Sequence, residues 1–251
     1  MPEIDLFAGA VIFAALAVGG LFKGATGAGA PVIAVPVMAV FFDVRLAVMI
    51  MVVPNLFSNI WQMRKFWTHR VGDGFSTRFA LAGGVGALLG TILLATMPVR
   101  VLLVLVTTAV VSYILLRLLR PDLRLSPKLA GRLVVPCGVT GGILQGAAGL
   151  SAPISVSFLN AMRLERITFI ATISGFFVVM AAAQLLALTA SGLLTLPIIG
   201  LSLLAFFPMT LFMPVGSWLA RKLSAAAFDK LTLALLTVLA VRLLYSILGS
   251  G

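Results

Sequence analysis

The sequence is poor in charge, in acid, in histidine and in cysteine, and each shortage excludes a class of protein. Of its 251 residues only 10% are charged while 61% are hydrophobic, and the mean hydropathy is +1.19. Too little polar surface remains to cover a water-soluble globule, so the chain belongs in a bilayer. Cys137 is the single cysteine, which excludes an intramolecular disulfide, a thiol pair for electron transfer and a cysteine metal site. It reads as a small buried residue. His69 is the single histidine; lying among Arg64, Lys65 and Arg70, it reads as a solvated loop residue. No metal and no cofactor is expected. The seven acids, Glu3, Asp5, Asp43, Asp73, Asp122, Glu165 and Asp229, all fall at termini or connections. No carboxylate lies inside an apolar span to bind Na⁺ or relay a proton, which counts against a cation transporter. The net charge of +11 would suggest nucleic acid in a soluble protein. Here the basic residues are spread through short segments between apolar runs, so nucleic-acid binding is not expected.

What the chain does have is apolar length. Ten segments read at 6–22, 30–42, 46–63, 76–97, 99–118, 130–147, 152–162, 166–189, 194–219 and 226–247. Most approach the ~20 residues that a helix needs to cross the hydrocarbon. Segments 30–42 and 152–162 are short and read as half-length or re-entrant. Fourteen of the eighteen basic residues flank alternate connections: Arg64, Lys65, Arg70 and Arg78; Arg117, Arg120, Arg124, Lys128 and Arg132; Arg163 and Arg166; Arg221, Lys222 and Lys230. Short cytoplasmic loops are enriched in Lys and Arg, so these connections are expected in the cytoplasm and both termini on the periplasmic side of a bacterial inner membrane. The opposite side shows only Arg45, Arg100 and Arg242. The amino terminus carries acid rather than base before its first apolar run, which argues against a cleaved signal peptide. Trp61, Trp67 and Tyr113 read as interfacial anchors.

Within this background one Gly-rich passage is written twice, 122 residues apart: GGLFKGATGAGAP from Gly19 to Pro31, and GGILQGAAGLSAP from Gly141 to Pro153. Seven of the thirteen positions are identical. The chain therefore divides into a first membrane repeat at 1–120, a cytoplasmic linker at 121–127 and a second membrane repeat at 128–251. The expected fold is an all-α integral membrane protein of two repeats with about five helices each, short half-helices following the breaks. With an odd number of elements per half, the second copy enters from the other side, giving an inverted-topology repeat whose breaks meet in the membrane.

Broken backbone cannot be left in lipid, because each unpaired amide there costs several kcal/mol; the breaks must line a cavity or be packed by protein. Each ends in a proline, which suits a first helical position. Two helix amino-terminal ends would then converge, and such ends attract anions. Gly27, Gly29, Ala30 and Pro31, with Gly149, Ser151, Ala152 and Pro153, are the candidate backbone frame; Thr26 and Ser151 can add hydroxyls. Gly20 and Gly24, with Gly142 and Gly146, are at least as well explained by close helix packing. Lys23 lies inside the first break, and its repeat partner is Gln145. Two readings stand for Lys23: a cation at membrane depth that favours an anionic substrate, or a side chain snorkelling to the interface. Asn55 and Asn59 either line the cavity or join helices by hydrogen bonds; Gln62 has Gln184 as its repeat partner. Asp43 with Arg45 and Glu165 with Arg166 are either helix ends carrying surface ion pairs or the two gates of the repeat.

Two Gly-rich passages ending in proline, each followed by a short apolar element and an acid, resemble the TauE/SafE family of sulfite exporter-like membrane permeases. The resemblance covers nearly the whole chain. It implies a carrier that moves small sulfur-containing or carboxylate anions, such as sulfite, sulfonates and sulfoacetate, mostly outward across the inner membrane. Members commonly run three glycines together before the proline; this chain has Gly27-Ala28-Gly29 and Gly149-Leu150-Ser151. The expected activity is that of a secondary transporter working by alternating access, not an enzyme, driven by the substrate gradient or by proton motive force. Its expected partners are the small anion, the lipid bilayer and, as candidates, a proton carried on the protonated anion and a second copy in a homodimer. A passive anion channel with the same site is the alternative. An intramembrane hydrolase built on Ser151 is disfavoured because His69, the one available base, sits in a connection.

Overall fold

The computed structural model describes residues 6–119, 123–222 and 225–249. Glu3, Asp5, Arg120 and Asp122 lie outside the described residues, as do the side chains of Arg221, Asp229 and Lys230. Among the described residues there are ten α-helices and no strand: α1 Leu6–Thr26, α2 Ala30–Phe41, α3 Val44–Phe66, α4 Phe75–Thr96, α5 Val99–Leu119, α6 Pro127–Ala148, α7 Ser155–Ala161, α8 Arg166–Ala190, α9 Leu196–Lys222 and α10 Ala225–Gly249. Six of them, α1, α3, α4, α5, α8 and α9, are both long and apolar enough to cross a membrane. Helix α6 has the length but opens with Lys128 and Arg132 and is diluted by glycine. Apolar side chains cover the outside as well as the core; Leu196, Leu211 and Phe207 are all strongly exposed. That is the surface a bilayer solvates and water does not.

Helices α3 and α8 are the most deeply buried of the six and pack on each other at the centre. Around them the largest contacts are α4 with α6 and α1 with α9. Both pairs run parallel, and both are built on glycine. A Cβ placed on Gly20 would lie 2.2 Å from the Met209 carbonyl oxygen, and one on Gly24 would lie 1.9 Å from that of Met213. In the other pair, a Cβ on Gly142 would lie 2.2 Å from the Gly83 carbonyl and one on Gly146 would lie 2.4 Å from that of Ala87. No real Cβ tolerates such distances, so these helices touch backbone to backbone, the contact that small residues make possible in membranes. The four glycines thus serve packing.

Pro54 lies inside α3 and supplies no N–H to the carbonyl of Ile50 one turn back. Ser202 of α9 fills the gap: its hydroxyl donates to the Ile50 carbonyl at 2.8 Å and accepts from the Val53 N–H at 3.2 Å. Phe79 of α4 stacks on Phe176 of α8 at 3.9 Å, tying the glycine-packed pair to the central one. Cys137 is half-buried on α6, not fully buried as expected. The reason is its place on an otherwise exposed turn beside Val135 and Pro136. Trp61 and Trp67 are exposed, with Lys65 and Arg70 against their rings, and Tyr113 is half-buried.

Candidate functional site

The two breaks are not alike. Helix α1 runs through Lys23 to Thr26, and the chain then turns at Gly27 and Gly29, both with left-handed φ of 80° and 105°. Only glycine takes such angles without strain. Helix α2 starts at Ala30 with Pro31 in its first turn, as expected; Pro31 has no N–H, and the Val32 N–H donates to the Gly29 carbonyl at 3.0 Å, so what this end offers is chiefly the positive end of its dipole. The second break differs from expectation. Gly149 ends α6 with φ 69°, but Pro153 does not open the next helix. The Ser151 carbonyl accepts the N–H groups of Ile154 at 3.0 Å and Ser155 at 2.8 Å, which closes a turn over 152–154. Helix α7 begins only at Ser155 and is seven residues long, too short to present a helix end to an anion. The symmetric picture of two converging helix ends is therefore corrected to one helix end facing a serine turn.

The breaks share one cleft. Gly29, Pro31 and Val32 line it from the first copy, and Leu150, Ser151 and Ala152 line it from the second; Gln145 and Phe177 complete the wall. Its free space is about 10 Å³, room for the centre of one water-sized sphere. The Ser155 hydroxyl donates to the carbonyl and hydroxyl oxygens of Ser151, both at 3.0 Å, which leaves the Ser151 hydroxyl proton available. The amide oxygen of Gln145 is buried with no hydrogen-bond partner. Gln184 donates to the carbonyls of Gln145 and Gly146 and so steadies the last turn of α6.

Lys23 is 1% exposed, among the most buried large side chains of the protein. The structure thus places it inside, not snorkelling. Its ammonium donates to Asn59 Oδ1 at 2.8 Å and lies 5.8 Å from the centroid of the Phe177 ring, the same ring that lines the cleft. Asn59 Nδ2 in turn donates to Asn55 Oδ1 at 2.8 Å, and Asn55 Nδ2 is buried without a partner. The ammonium fixes the sense of this chain: a cation demands the oxygen of Asn59, which turns its NH₂ to the oxygen of Asn55 and leaves an NH₂ donor at the far end. Asn55 and Asn59 therefore sit beside Lys23, and none of the three lines the cleft itself; Lys23 lies behind its Phe177 wall. Thr26 is not brought to it either; its hydroxyl is engaged by the carbonyls of Phe22 and Ala28 and by the Ala28 N–H.

The Asp43 and Glu165 corners do not form the expected ion pairs with their neighbouring arginines. Asp43 caps α3, its carboxylate accepting from the Arg45 backbone N–H at 2.9 Å, while the Arg45 guanidinium donates to the carbonyls of Leu94 and Met97 at the end of α4. Glu165 precedes α8 without a capping bond, and Arg166 Nη2 donates to the Ala25 carbonyl at 3.0 Å. Unpaired carbonyls at helix ends outcompete a solvated carboxylate for the guanidinium. Phe177 was not singled out by sequence; one aromatic ring in an apolar helix carries no signal.

A family model described as Sulfite exporter TauE/SafE matches residues 11–243. The chain belongs to the TauE/SafE sulfite exporter family. Nothing among curated proteins or solved structures matches it. As a TauE/SafE protein it is a multi-pass membrane protein of a transporter family. Among the described residues no group of His, Cys, Asp and Glu is placed to hold a metal ion.

Proposed function

We propose that this TauE/SafE protein is a secondary transporter that exports small sulfur-containing anions, such as sulfite, sulfonates or sulfoacetate, across the bacterial inner membrane by alternating access around the cleft between its two breaks. The observation that carries this reading is Lys23, a fully buried cation whose side-chain acceptor is a neutral amide, set against a ring of the cleft. A buried charge without a counter-charge is costly, and a small anion is the ligand that offsets the cost. The positive end of the α2 dipole and the Ser151 hydroxyl add to the attraction for its oxygens. With no buried carboxylate among the described residues, a cation is disfavoured as cargo.

An inverted-topology repeat accounts for how such a site would open to either side. In support of it, residues 122 apart occupy matching environments. Gly27 packs against Ile170 of α8, and Gly149 packs against Val48 of α3. The first helix of each half lies against the fourth of the other, α1 on α9 and α6 on α4, through corresponding glycines. On this reading the two glycine-packed pairs are rigid bodies that rock about the central α3 and α8. Arg45 and Arg166 tie helix starts to helix ends at the two corners and act as gates. Both termini face the periplasm, as the distribution of basic residues implies.

Thermal stabilisation of the purified protein by sulfite, sulfoacetate, taurine-like sulfonates, thiosulfate and carboxylates tests the site. Sulfur oxyanions or sulfonates should raise the unfolding temperature selectively. Lys23→Ala should weaken that binding about ten- to a hundredfold, the value of a hydrogen bond to a charged group. An unchanged response in Lys23→Ala, or none in the wild type to any anion, would overturn the reading. Counterflow in proteoliposomes separates a carrier, which exchanges, from a passive channel.

A further inference from the structure

The transport reading leaves Gln145 without a task. An anion needs donors, yet Gln145 lines the cleft with an amide oxygen that has no partner and can only accept. We infer that Gln145 and Ser151 together read a hydroxyl group on the cargo, so that the preferred substrate is a small organic anion carrying a hydroxyl beside its sulfonate or carboxylate. The inference rests on the transport reading above and adds the substrate class and the pair of residues that selects it.

Gln145 is 3% exposed, on the last turn of α6. Its neighbour Gln184 bonds the main-chain carbonyls of Gln145 and Gly146, at 3.4 and 3.3 Å, and leaves the side-chain oxygen of Gln145 unmet. A buried acceptor without a hydrogen bond is costly, and a ligand that brings a hydrogen removes the cost. The same cleft holds the opposite group. Ser151 is 2% exposed, and its hydroxyl oxygen accepts from the Ser155 hydroxyl at 3.0 Å, so its own proton is available. One acceptor and one donor border a space of about 10 Å³, which admits the centre of a single water-sized sphere. The group that suits it has one heavy atom and both gives and takes a hydrogen, and a hydroxyl does both. A methyl fills the space and makes neither bond. An ammonium donates but has no lone pair for Ser151, and it adds a cation to a protein that already buries Lys23 behind the Phe177 wall. The cargo thus has two ends: its anionic head answers to Lys23 and the positive end of α2, its hydroxyl to Gln145 and Ser151. The two Gly-rich passages diverge at the residue that separates these ends, since Gln145 stands in the second copy where Lys23 stands in the first.

Three sulfonates of nearly equal size isolate the hydroxyl: isethionate, 1-propanesulfonate, in which a methyl replaces it, and taurine, in which an ammonium does. Their affinities are read from the thermal stabilisation of purified wild-type protein as each is titrated. Isethionate should bind about tenfold more tightly than either analogue, the value of a hydrogen bond made to a buried acceptor. In Gln145→Met, which keeps the length of the side chain and removes its amide, the ratio of isethionate to 1-propanesulfonate affinity should fall to about one. That ratio is internal to each protein, so a general loss of stability does not move it, and the wild-type comparison stands even where the variant fails to fold. Equal affinity of the wild type for isethionate and 1-propanesulfonate overturns the inference and leaves the transport reading standing; it is the outcome of an amide that turns its NH₂ to the anion instead. Taurine binding as tightly as isethionate, or a Gln145→Met protein that keeps the tenfold preference, overturns it equally. A wild type that binds sulfite and none of the three sulfonates overturns this inference alone, and one that binds no anion overturns both.

Discussion

Replacing Gly24 by alanine should destabilise the protein through one atom. Its Cβ would stand 1.9 Å from the Met213 carbonyl oxygen, where at least 3.0 Å is needed, and the obstacle is backbone, not a side chain that can rotate away. Helix α9 must retreat by about 1 Å over the turn in contact, which opens the packed seam along Gly20 and Leu21. Overpacking of this kind costs about 1–3 kcal/mol, which for a chain of this length corresponds to a drop of roughly 3–10 °C in unfolding temperature. Gly146→Ala should behave alike, since its Cβ meets the Ala87 carbonyl at 2.4 Å and the Thr91 amide at 2.7 Å. Gly200 lies in α9 with nothing within 4 Å of an added Cβ. There alanine gains about 1 kcal/mol of helix propensity and should leave the temperature unchanged or raise it. The assay is thermal unfolding in detergent at one fixed heating rate, comparing apparent midpoints. Gly24→Ala and Gly146→Ala proteins that unfold at or above the wild-type temperature would refute the backbone-contact argument.

Two further outcomes follow from the polar groups. Asn59→Leu removes the acceptor of Lys23 and the donor that orients Asn55, so anion affinity measured by thermal shift should fall about tenfold or more; an unchanged affinity would show that the amide chain does not position Lys23. Arg166→Gln frees the Ala25 carbonyl without touching the cleft. It should leave anion binding intact while changing the counterflow rate about tenfold, the value of a charge-assisted hydrogen bond. Equal rates would remove the gate.

The helices were legible because each is written as an uninterrupted apolar run bounded by charge, Gly or Pro; all ten runs match helices to within a few residues. The first short element was legible for the same reason, with Pro31 where a helix start accepts it. The second was not, because Ser151 closes a turn with its own carbonyl, a choice between two hydrogen-bond patterns that GLSAP does not spell out. Lys23 could be flagged by its type and place, but its partner Asn59 lies 36 residues away on another helix, and no periodicity connects them. Of the two readings of the arginine corners, the ion-pair one does not hold, because sequence shows the adjacent acid and not the distant helix ends at Leu94 and Ala25 that claim the guanidinium.

The parallel seating of α1 on α9 and of α6 on α4 has a consequence for how the protein is made. Each half lends its opening helix to the other, so the groove that receives α1 is synthesised almost two hundred residues after α1 itself. During synthesis α1, with its buried lysine, has no completed surface to rest against until α9 has emerged. The seam of α6 on α4 can therefore close first and that of α1 on α9 only afterwards, and an insertion factor that shelters Lys23 until residue 216 emerges would find here a natural client.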